Sequence, residues 1–332
     1  MPIDVHAHYV PPRILEVLRD RGGDLGIDVE DRVGACPCLK YDHGLKVRPF
    51  FPRLLESEDA RIAAMDRIGI DRQALMLWAD IFGYGMPAKQ SRAWHTVMNE
   101  SLAAVCARHV DRFSWFASGA LPDAAAAARE LERCVRELGA VGGVVAANVQ
   151  GENLGDLPLD EYWAAAQELN VPVFIHPAQP TPVARTHRYA LNPIVQYTFD
   201  TTLTLGSLIF SGVLDRFPRL DLIVSHGGGA LPYLVGRFDV MHARMEKGDQ
   251  HDVAAAPPSQ YLRRFHYDTI LHDAAALRYL ADKVCTDRIV LGSDDPFPPM
   301  DRDPLGTVKS AGFDAADVAR IVEENPRRVL RL

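Results

Sequence analysis

Short runs of apolar residues alternate with longer amphipathic segments along the whole chain. The apolar runs are rich in β-branched residues and are mostly apolar throughout, which is typical of strands buried on both faces of a parallel sheet. In chain order we interpret these runs as strands: PIDVHAH, RQALMLWA, FSWFASGA, VGGVVAAN, VPVFIHP, LDLIVSHGG, FHYDTI and RIVLGSD. The segments between them predict helices near residues 58–68, 88–110, 123–138, 160–169, 201–215, 229–245, 273–283 and 314–323.

Eight such strands alternating with eight helices predict a closed parallel (β/α)8 barrel of the TIM type, within the α/β class. We treat residues 1–332 as a single domain. Residues 20–56 break the alternation with Gly, Pro, Asp and two close cysteines, so we interpret them as an insertion after strand one that is placed to fold over the site. The proline-rich stretch 177–196 has no clear period and predicts a long loop after strand five.

Composition narrows the class of protein further. The chain is 48% hydrophobic and 24% charged, and its formal net charge of −8 is spread over mixed acidic and basic residues, which argues against nucleic acid as a partner. No apolar run approaches the ~18 residues of a membrane helix, and the first residues lack the features of a secretory leader, so we expect a cytoplasmic protein without a membrane partner. The five cysteines form no CxxC pair and predict reduced thiols; we interpret Cys36 and Cys38 as part of a loop.

Metal-binding side chains follow four of the predicted strands. His6 and His8 end strand one, and a period of two directs both to the same side. The other strand-end groups are His176 after strand five, His226 after strand six and Asp294 after strand eight. A single histidine at a strand end is explained by packing in the core as easily as by metal binding. Because the carboxyl ends of barrel strands meet at one rim, four strand ends together favour a site for a divalent cation.

Three glycines follow His226 in SHGGGALPYLVGR and precede a predicted helix. Glycine permits close backbone approach, so a phosphate-binding turn is an alternative, although the spacing fits neither the dinucleotide nor the Walker pattern. Among the remaining histidines, we expect surface or packing roles for His95, His109, His242 and His251. The role of four others stays open: His43, His187, His266 and His272.

Several segments together resemble the amidohydrolase superfamily, and within it the branch of metal-dependent decarboxylases related to aminocarboxymuconate-semialdehyde decarboxylase. The resemblance runs from residue 3 to the C-terminal ENPRRVLRL and is carried by DVHAH, FIHP, SGVLDRFPRLDLIVSHGGGALPYLVGR and LGSDDPFP. It implies one divalent metal ion, zinc in the first place and manganese in the second, and a homodimer. The implied metal ligands are His6, His8, His176 and Asp294. His226 is implied to activate metal-bound water or to transfer protons.

The resemblance also implies arginines that bind a small carboxylate substrate. Arg237 in VGR matches an arginine that binds the substrate carboxylate across the dimer interface. Arg53 lies near the second such arginine, but its spacing to ARIAAMD is one residue short, so Arg48 is a rival. Two departures predict a different pocket: Ala190 stands where the muconate decarboxylases of this branch have tryptophan, and Asp295 where they have tyrosine. Strand four has no lysine or glutamate to bridge a second metal, which implies a mononuclear site.

Three functions fit these residues. The first is nonoxidative decarboxylation of a small aromatic or conjugated carboxylic acid, with His226 and Asp294 as catalytic residues and arginines as carboxylate clamps. The second is metal-dependent hydrolysis or hydration of a lactone, amide, ester or unsaturated acid, because the ligands alone do not separate these reactions. The third is a binding barrel without catalysis, which predicts no bound metal.

Overall fold

Eight parallel strands form the centre of the molecule and follow one another around it in chain order. The computed structural model describes residues 1–178, 185–245 and 254–332. Each strand is hydrogen-bonded to the next one in the chain. The strands are β1 (Ile3–His8), β2 (Arg72–Met76), β3 (Phe113–Ser118), β4 (Gly142–Ala146), β5 (Val173–His176), β6 (Leu222–Val224), β7 (Phe265–Asp268) and β8 (Ile289–Val290).

The two ends of this sheet meet, and the barrel closes. The backbone N–H of Val5 in β1 donates to the carbonyl of Leu291, which directly follows β8, at 2.9 Å. The N–H of Asp294 donates to the carbonyl of His6 at 2.8 Å, so the strand-eight end is aligned with the end of β1. The predicted TIM-type barrel is therefore confirmed.

The side chains of β1 show how the sequence pattern positions the site. All six residues of this strand are buried, and successive side chains point to opposite faces. His6 and His8 therefore share a face, and the rings of both contact His176 from β5. Ile3 and Val5 belong to the hydrophobic core of the protein. The prediction that the two histidines lie on the same side is confirmed.

Helices surround the strands, and most of them lie where the pattern predicts. They are α1 (Pro12–Leu25), α2 (Glu58–Arg67), α3 (Ala88–Arg108), α4 (Ala124–Leu138), α5 (Asp160–Leu169), α6 (Tyr197–Phe210), α7 (Val213–Arg216), α8 (Leu231–Arg244), α9 (Ala274–Val284), α10 (Pro304–Ser310), α11 (Ala315–Ala319) and α12 (Asn325–Val329). The sequence pattern missed α1, α10 and α12. Helix α1 contains two adjacent glycines, which conceal the helical spacing of its buried residues Ile14, Leu15, Leu18 and Leu25.

The segment after β1 is more regular than the sequence suggested. After α1 the chain forms an antiparallel hairpin from Ile27–Arg32 and Ala35–Tyr41, followed by a 3-10 turn at Pro52–Leu55. Cys36 and Cys38 lie in the second strand of this hairpin, so their interpretation as a loop was wrong. All five cysteines are free thiols, as predicted.

The predicted loop after β5 is described in part. Residues 179–184 of this stretch, and His251 further along, lie outside the described residues. At its end the chain forms a π-helical turn at Asn192–Gln196 that continues directly into α6, so the last residues of the predicted loop are helical. Among the helices that the structure describes, none combines the length and apolar character needed to cross a membrane.

Candidate metal centre and substrate cavity

The strand-end histidines and Asp294 converge at the carboxyl end of the barrel. One ligand atom from each of His6, His176, His226 and Asp294 lies within 4.8 Å of the others. His8 joins this cluster, because its Nε2 is 3.1 Å from Nε2 of His6. The structure thus brings together all four sequence-predicted metal ligands and places His226 beside them.

Asp294 lies at the centre of the cluster. Its Oδ1 is 3.3 Å from Nε2 of His6, 3.2 Å from Nε2 of His8 and 3.9 Å from Nε2 of His176. Its Oδ2 is 3.6 Å from Nε2 of His226. One carboxylate oxygen therefore faces the three predicted histidine ligands, and the other faces the predicted proton-transfer residue.

The polar atoms of this cluster fit a divalent cation. Both ring nitrogens of His176 and the Oδ1 atom of Asp294 are buried and lack a hydrogen bond to any part of the chain that the structure describes. Buried polar atoms without partners are rare, and each calls for an explanation. Imidazole nitrogens with one carboxylate oxygen form a donor set that suits zinc and related divalent ions. These residues therefore match the metal that the family resemblance implies.

Burial and mutual contacts set the protonation states of these groups. Burial lowers the pKa of His8 to about 4 and holds the pKa of His176 well below its ordinary value. Burial alone raises the pKa of Asp294, but its contacts with the four histidines outweigh that effect and hold the pKa well below the ordinary value. Neutral His8 and His176 and ionised Asp294 are thus in the forms that bind a cation. His6 differs: burial lowers its pKa, but the contacts with Asp268 and Asp294 outweigh burial and raise the pKa to about 10, so a cation at its Nε2 atom has to displace a proton.

Asp268 is a residue of the site that the sequence analysis missed. It ends β7, and its Oδ2 lies 2.7 Å from Nδ1 of His6. The two carboxylate oxygens also accept the backbone N–H groups of His226 and Gly227, each at 2.9 Å. Asp268 thereby fixes both a predicted metal ligand and the predicted proton-transfer residue. The available signal was its position, since it is a carboxylate at the end of the seventh strand.

The three glycines after His226 form a tight left-handed turn. His226 itself has φ +53°, and Gly227, Gly228 and Gly229 have φ between +61° and +75°. A Cβ atom on Gly229 would lie 2.1 Å from the carbonyl oxygen of Thr198, so a side chain has no room there. The N–H groups of the three glycines donate to Asp268 and to the backbone carbonyls of Ser225 and His226. Because these donors are used internally, none of the three glycine N–H groups is available for the phosphate that the alternative requires.

A cavity of about 400 Å³ opens above the cluster. His176, His226 and Asp294 contribute to its lining, so the predicted metal site is accessible from it. Most of the wall is apolar, with residues from the segments after β1, β2, β5, β6, β7 and β8: Phe51, Trp78, Pro177, Pro193, Ile194, Ala230, Ile270, Leu271, Phe297, Pro298 and Pro299. This volume and this lining suit a small, flat organic ligand.

Arg48 is the arginine that lines this cavity. Its guanidinium carbon lies 5.1 Å from the ring centre of Phe51 and 5.2 Å from that of Trp78. One of its terminal nitrogens is 3.5 Å from the carboxylate of Asp80. The arginine is thus stacked against two rings of the cavity wall, in a position to contact an anionic ligand.

The other two candidate arginines lie elsewhere. Arg53 does not line the cavity, and its guanidinium forms an ion pair of 2.7 Å with Asp295. Arg237 lies on the exposed side of α8 and contacts no charged group among the residues that the structure describes. Within one chain, neither arginine reaches the cavity. A role for Arg237 therefore requires a second chain.

The remaining described histidines have varied surroundings. His95 is buried against Ser118, His109 pairs with Glu58, and His242 bonds to a backbone carbonyl, so the packing or surface roles expected for these three fit their contacts. His187 is exposed, and His266 is buried near Asp221. His43 lines a second cavity, and His272 is an exposed residue that lines the cavity above the metal cluster.

The chain belongs to the amidohydrolase family, whose sequence pattern matches residues 3–332. It is 30% identical to 2-amino-3-carboxymuconate-6-semialdehyde decarboxylase from Dictyostelium discoideum, over 90% of this chain and 82% of the relative. It is 31% identical to gamma-resorcylate decarboxylase from Rhizobium radiobacter, over 84% of this chain and 89% of the relative. The predicted family and branch are thus confirmed.

A solved structure supports the same fold. A dihydroxybenzoic acid decarboxylase from Polaromonas sp. JS666 superimposes with a TM-score of 0.79 at 25% identity, over all of this chain and 97% of the other. That structure contains bound manganese and the inhibitor 2-nitroresorcinol. A divalent-metal site is therefore indicated for this chain by its own side chains and by this likeness.

Proposed function

We propose that this protein is a metal-dependent carboxy-lyase that removes the carboxyl group of a small aromatic or conjugated acid without oxidation. The relatives described above are decarboxylases, so the predicted reaction class is confirmed, and none of them supports hydrolysis or hydration. The observation that carries the proposal is the buried cluster of four histidines and Asp294 at the base of an apolar cavity.

One divalent ion, bound by His6, His8, His176 and Asp294, is the proposed cofactor. When bound there, the ion supplies positive charge that polarises an oxygen of the substrate. Zinc fits the histidine-rich donor set and manganese is bound in the Polaromonas relative, so both are candidates, with zinc first. Strand β4, Gly142–Ala146, offers no ligand for a second ion, which supports a mononuclear site.

His226 is the proposed proton donor. Its ring lines the cavity, and its backbone N–H is fixed by Asp268. As the bond between the ring carbon and the carboxyl group breaks, CO2 leaves with the former carboxyl oxygens, and the electron pair stays on the ring carbon. His226 then gives its proton to that carbon. Asp294 fixes the direction of this imidazole through Oδ2.

The cavity wall supports an aromatic carboxylate as substrate. Phe51, Trp78 and Phe297 provide flat apolar surface, and Arg48 provides a forked cation in the same wall. Arg53 is the weaker of the two rival arginines, because its guanidinium is paired with Asp295 outside the cavity. We propose Arg48 as the substrate-binding arginine of this segment.

A homodimer is the proposed assembly. Large apolar side chains are exposed on α6 and α8: Phe199, Leu203, Tyr233, Val240 and Met241. Arg237 lies on α8 among them and does not reach the cavity of its own chain. Association of two copies through this face would cover the apolar side chains and bring Arg237 to a partner's cavity.

We propose further that residues 1–332 form a single domain and that the enzyme is cytoplasmic, as the sequence indicates.

A metal-reconstituted screen tests the proposed activity. The purified protein is loaded with zinc or manganese and incubated with hydroxybenzoates, carboxymuconates and pyrone carboxylates while CO2 is measured, and Asp294→Ala serves as the inactive control. We expect CO2 release with about one metal ion per chain. Ring opening without CO2 would favour hydrolysis instead, and two ions per chain would contradict the mononuclear site.

A further inference from the structure

Asp295 connects two segments that both contribute side chains to the cavity wall. It directly follows the predicted ligand Asp294, yet it does not line the cavity, and it is only 4% exposed. Its Oδ1 is 2.7 Å from Arg53, and its Oδ2 accepts a hydrogen bond of 3.1 Å from Arg61. Since a buried carboxylate requires compensation, both arginines are suitable partners.

The two arginines differ in what they fix. Arg61 is 1% exposed and also donates to the backbone carbonyl of His8 at 2.8 Å and to Gln73 at 3.1 Å. Arg61 lies on α2, and these bonds fix it to the barrel strands β1 and β2. Arg53 has a side chain that is 40% exposed and belongs to the 3-10 turn at Pro52–Leu55, at the end of the insertion. The pair of Arg53 and Asp295 thus joins the insertion to the segment after β8.

This ion pair lies directly beside an aromatic contact of the cavity. Phe51 precedes the turn that contains Arg53, and Phe297 comes two residues after Asp295. Their ring centres are 5.4 Å apart, and Phe297 also lies 4.6 Å from the ring of His8. Arg48 stacks on Phe51, so the position of the turn sets the position of both cavity-lining side chains.

We infer that the Arg53–Asp295 ion pair is a positioning device for the substrate cavity of this enzyme, an inference that rests on the proposed function. Arg53 contacts no substrate in this arrangement. It fixes the turn that presents Phe51 and Arg48, and Asp295 fixes the segment that presents Phe297.

Substitution of Arg53 tests the inference, because Asp295 variants would remove one of the two carboxylates that face buried Arg61 and are at risk of misfolding. Arg53→Gln should raise KM for the substrate found in the screen about fivefold, with a much smaller change in kcat, since a partly exposed pair contributes up to ~1 kcal/mol. Arg53→Lys keeps the charge and should restore most of the wild-type KM. Arg19→Gln, which removes an exposed ion pair of 2.7 Å with Asp31, is the control.

Hydrogen exchange measured by mass spectrometry provides a readout that does not depend on activity. Arg53→Gln should exchange faster than wild type in the segments 48–55 and 294–300, while Arg19→Gln should not. Unchanged exchange in both segments together with unchanged KM would overturn the inference. An equal rise in KM in Arg53→Lys and Arg53→Gln would also overturn the inference, because such a result would indicate that the substrate contacts the guanidinium directly. If the wild-type protein releases no CO2 from any acid, the proposed function fails, and the exchange result still decides the positioning role.

Discussion

Asp268 accepts a hydrogen bond of 2.7 Å from Nδ1 of His6, and this contact determines which ring nitrogen faces the metal cluster. Contacts with His6 and with backbone N–H groups outweigh burial and lower the pKa of Asp268, so its carboxylate is ionised and can only accept. Nδ1 of His6 must then carry the proton. Nε2 is left to face His8 and Asp294 as a ligand atom.

Asp268→Asn should therefore weaken metal binding. The amide offers one acceptor oxygen in place of two, although His6, His226 and Gly227 all donate to this side chain. We expect about 10- to 100-fold lower affinity for zinc or manganese, measured by competition with a chelator. Asp123→Asn removes a carboxylate that pairs with Arg92 on the surface, and it should keep wild-type affinity. Equal affinity of Asp268→Asn and wild type would contradict the orienting role.

The barrel and the ligands were predictable because both depend on local signals. Strands buried on both faces leave apolar runs, and the period of two places His6 and His8 on one side whatever surrounds them. The strand-end positions of His176, His226 and Asp294 then follow from the parallel arrangement, in which all carboxyl ends meet at one rim.

Contacts between distant segments left no such signal. The role of Asp268 depends on its contact with His6, which is 262 residues away in the sequence. Asp295 likewise pairs with Arg53, which lies in a distant segment at the end of the insertion. The sequence also left Arg48 and Arg53 as rivals, since spacing along the chain does not show which guanidinium faces the cavity. The structure distinguishes them, because the guanidinium of Arg53 pairs with Asp295 whereas that of Arg48 stacks on Phe51 in the cavity wall.

His226→Gln should separate metal binding from turnover. The side chain faces Oδ2 of Asp294, away from the oxygen that faces the other three histidines, so the metal site should remain loaded. Loss of a general acid lowers kcat about 100- to 10,000-fold. Metal content and CO2 release measured on the same sample check this. His272→Gln, which replaces an exposed histidine of the same cavity wall that lies outside the metal cluster, is the control and should stay within a few-fold of wild type. Full activity of His226→Gln would show that His226 is not the proton donor.

Asp200 predicts a pH-dependent effect on stability away from the metal cluster. It is partly buried, and burial raises its pKa to about 6 although Asn148 donates to it at 3.0 Å. An unfolded aspartate has a pKa of about 3.9. The stability contributed by the protonated carboxyl is therefore complete below about pH 4, and it is lost as the pH rises through about 6.

Asp200→Asn should therefore stabilise the protein at high pH. Relative to wild type we expect no gain at about pH 4 and a gain of about 3 kcal/mol in the free energy of unfolding at about pH 8, measured by urea denaturation. Asp156→Asn, in which the carboxyl is exposed and accepts from Asn153, is the matched control and should show no such trend. A gain that does not vary with pH would show that ionisation of Asp200 is not its cause.

Arg237 offers a test of the dimer and of the substrate site at once. It is exposed on α8 and does not line the cavity of its own chain, so Arg237→Ala should raise KM for a carboxylate substrate only if the side chain reaches a partner. An unchanged KM would remove it from the site. If KM rises, mixing decides whether the effect crosses an interface.

In the mixing experiment, chains with Arg237→Ala are combined with chains that have His226→Gln, after dissociation and reassociation. In a mixed dimer, one cavity receives an intact His226 from one chain and an intact Arg237 from the other. Random association of equal amounts makes about half of the dimers mixed and about a quarter of all cavities intact, so activity at low substrate should recover to about a quarter of wild type. Activity equal to the mean of the two separate variants would show that each cavity is built from a single chain, and that Arg237 affects KM from within it.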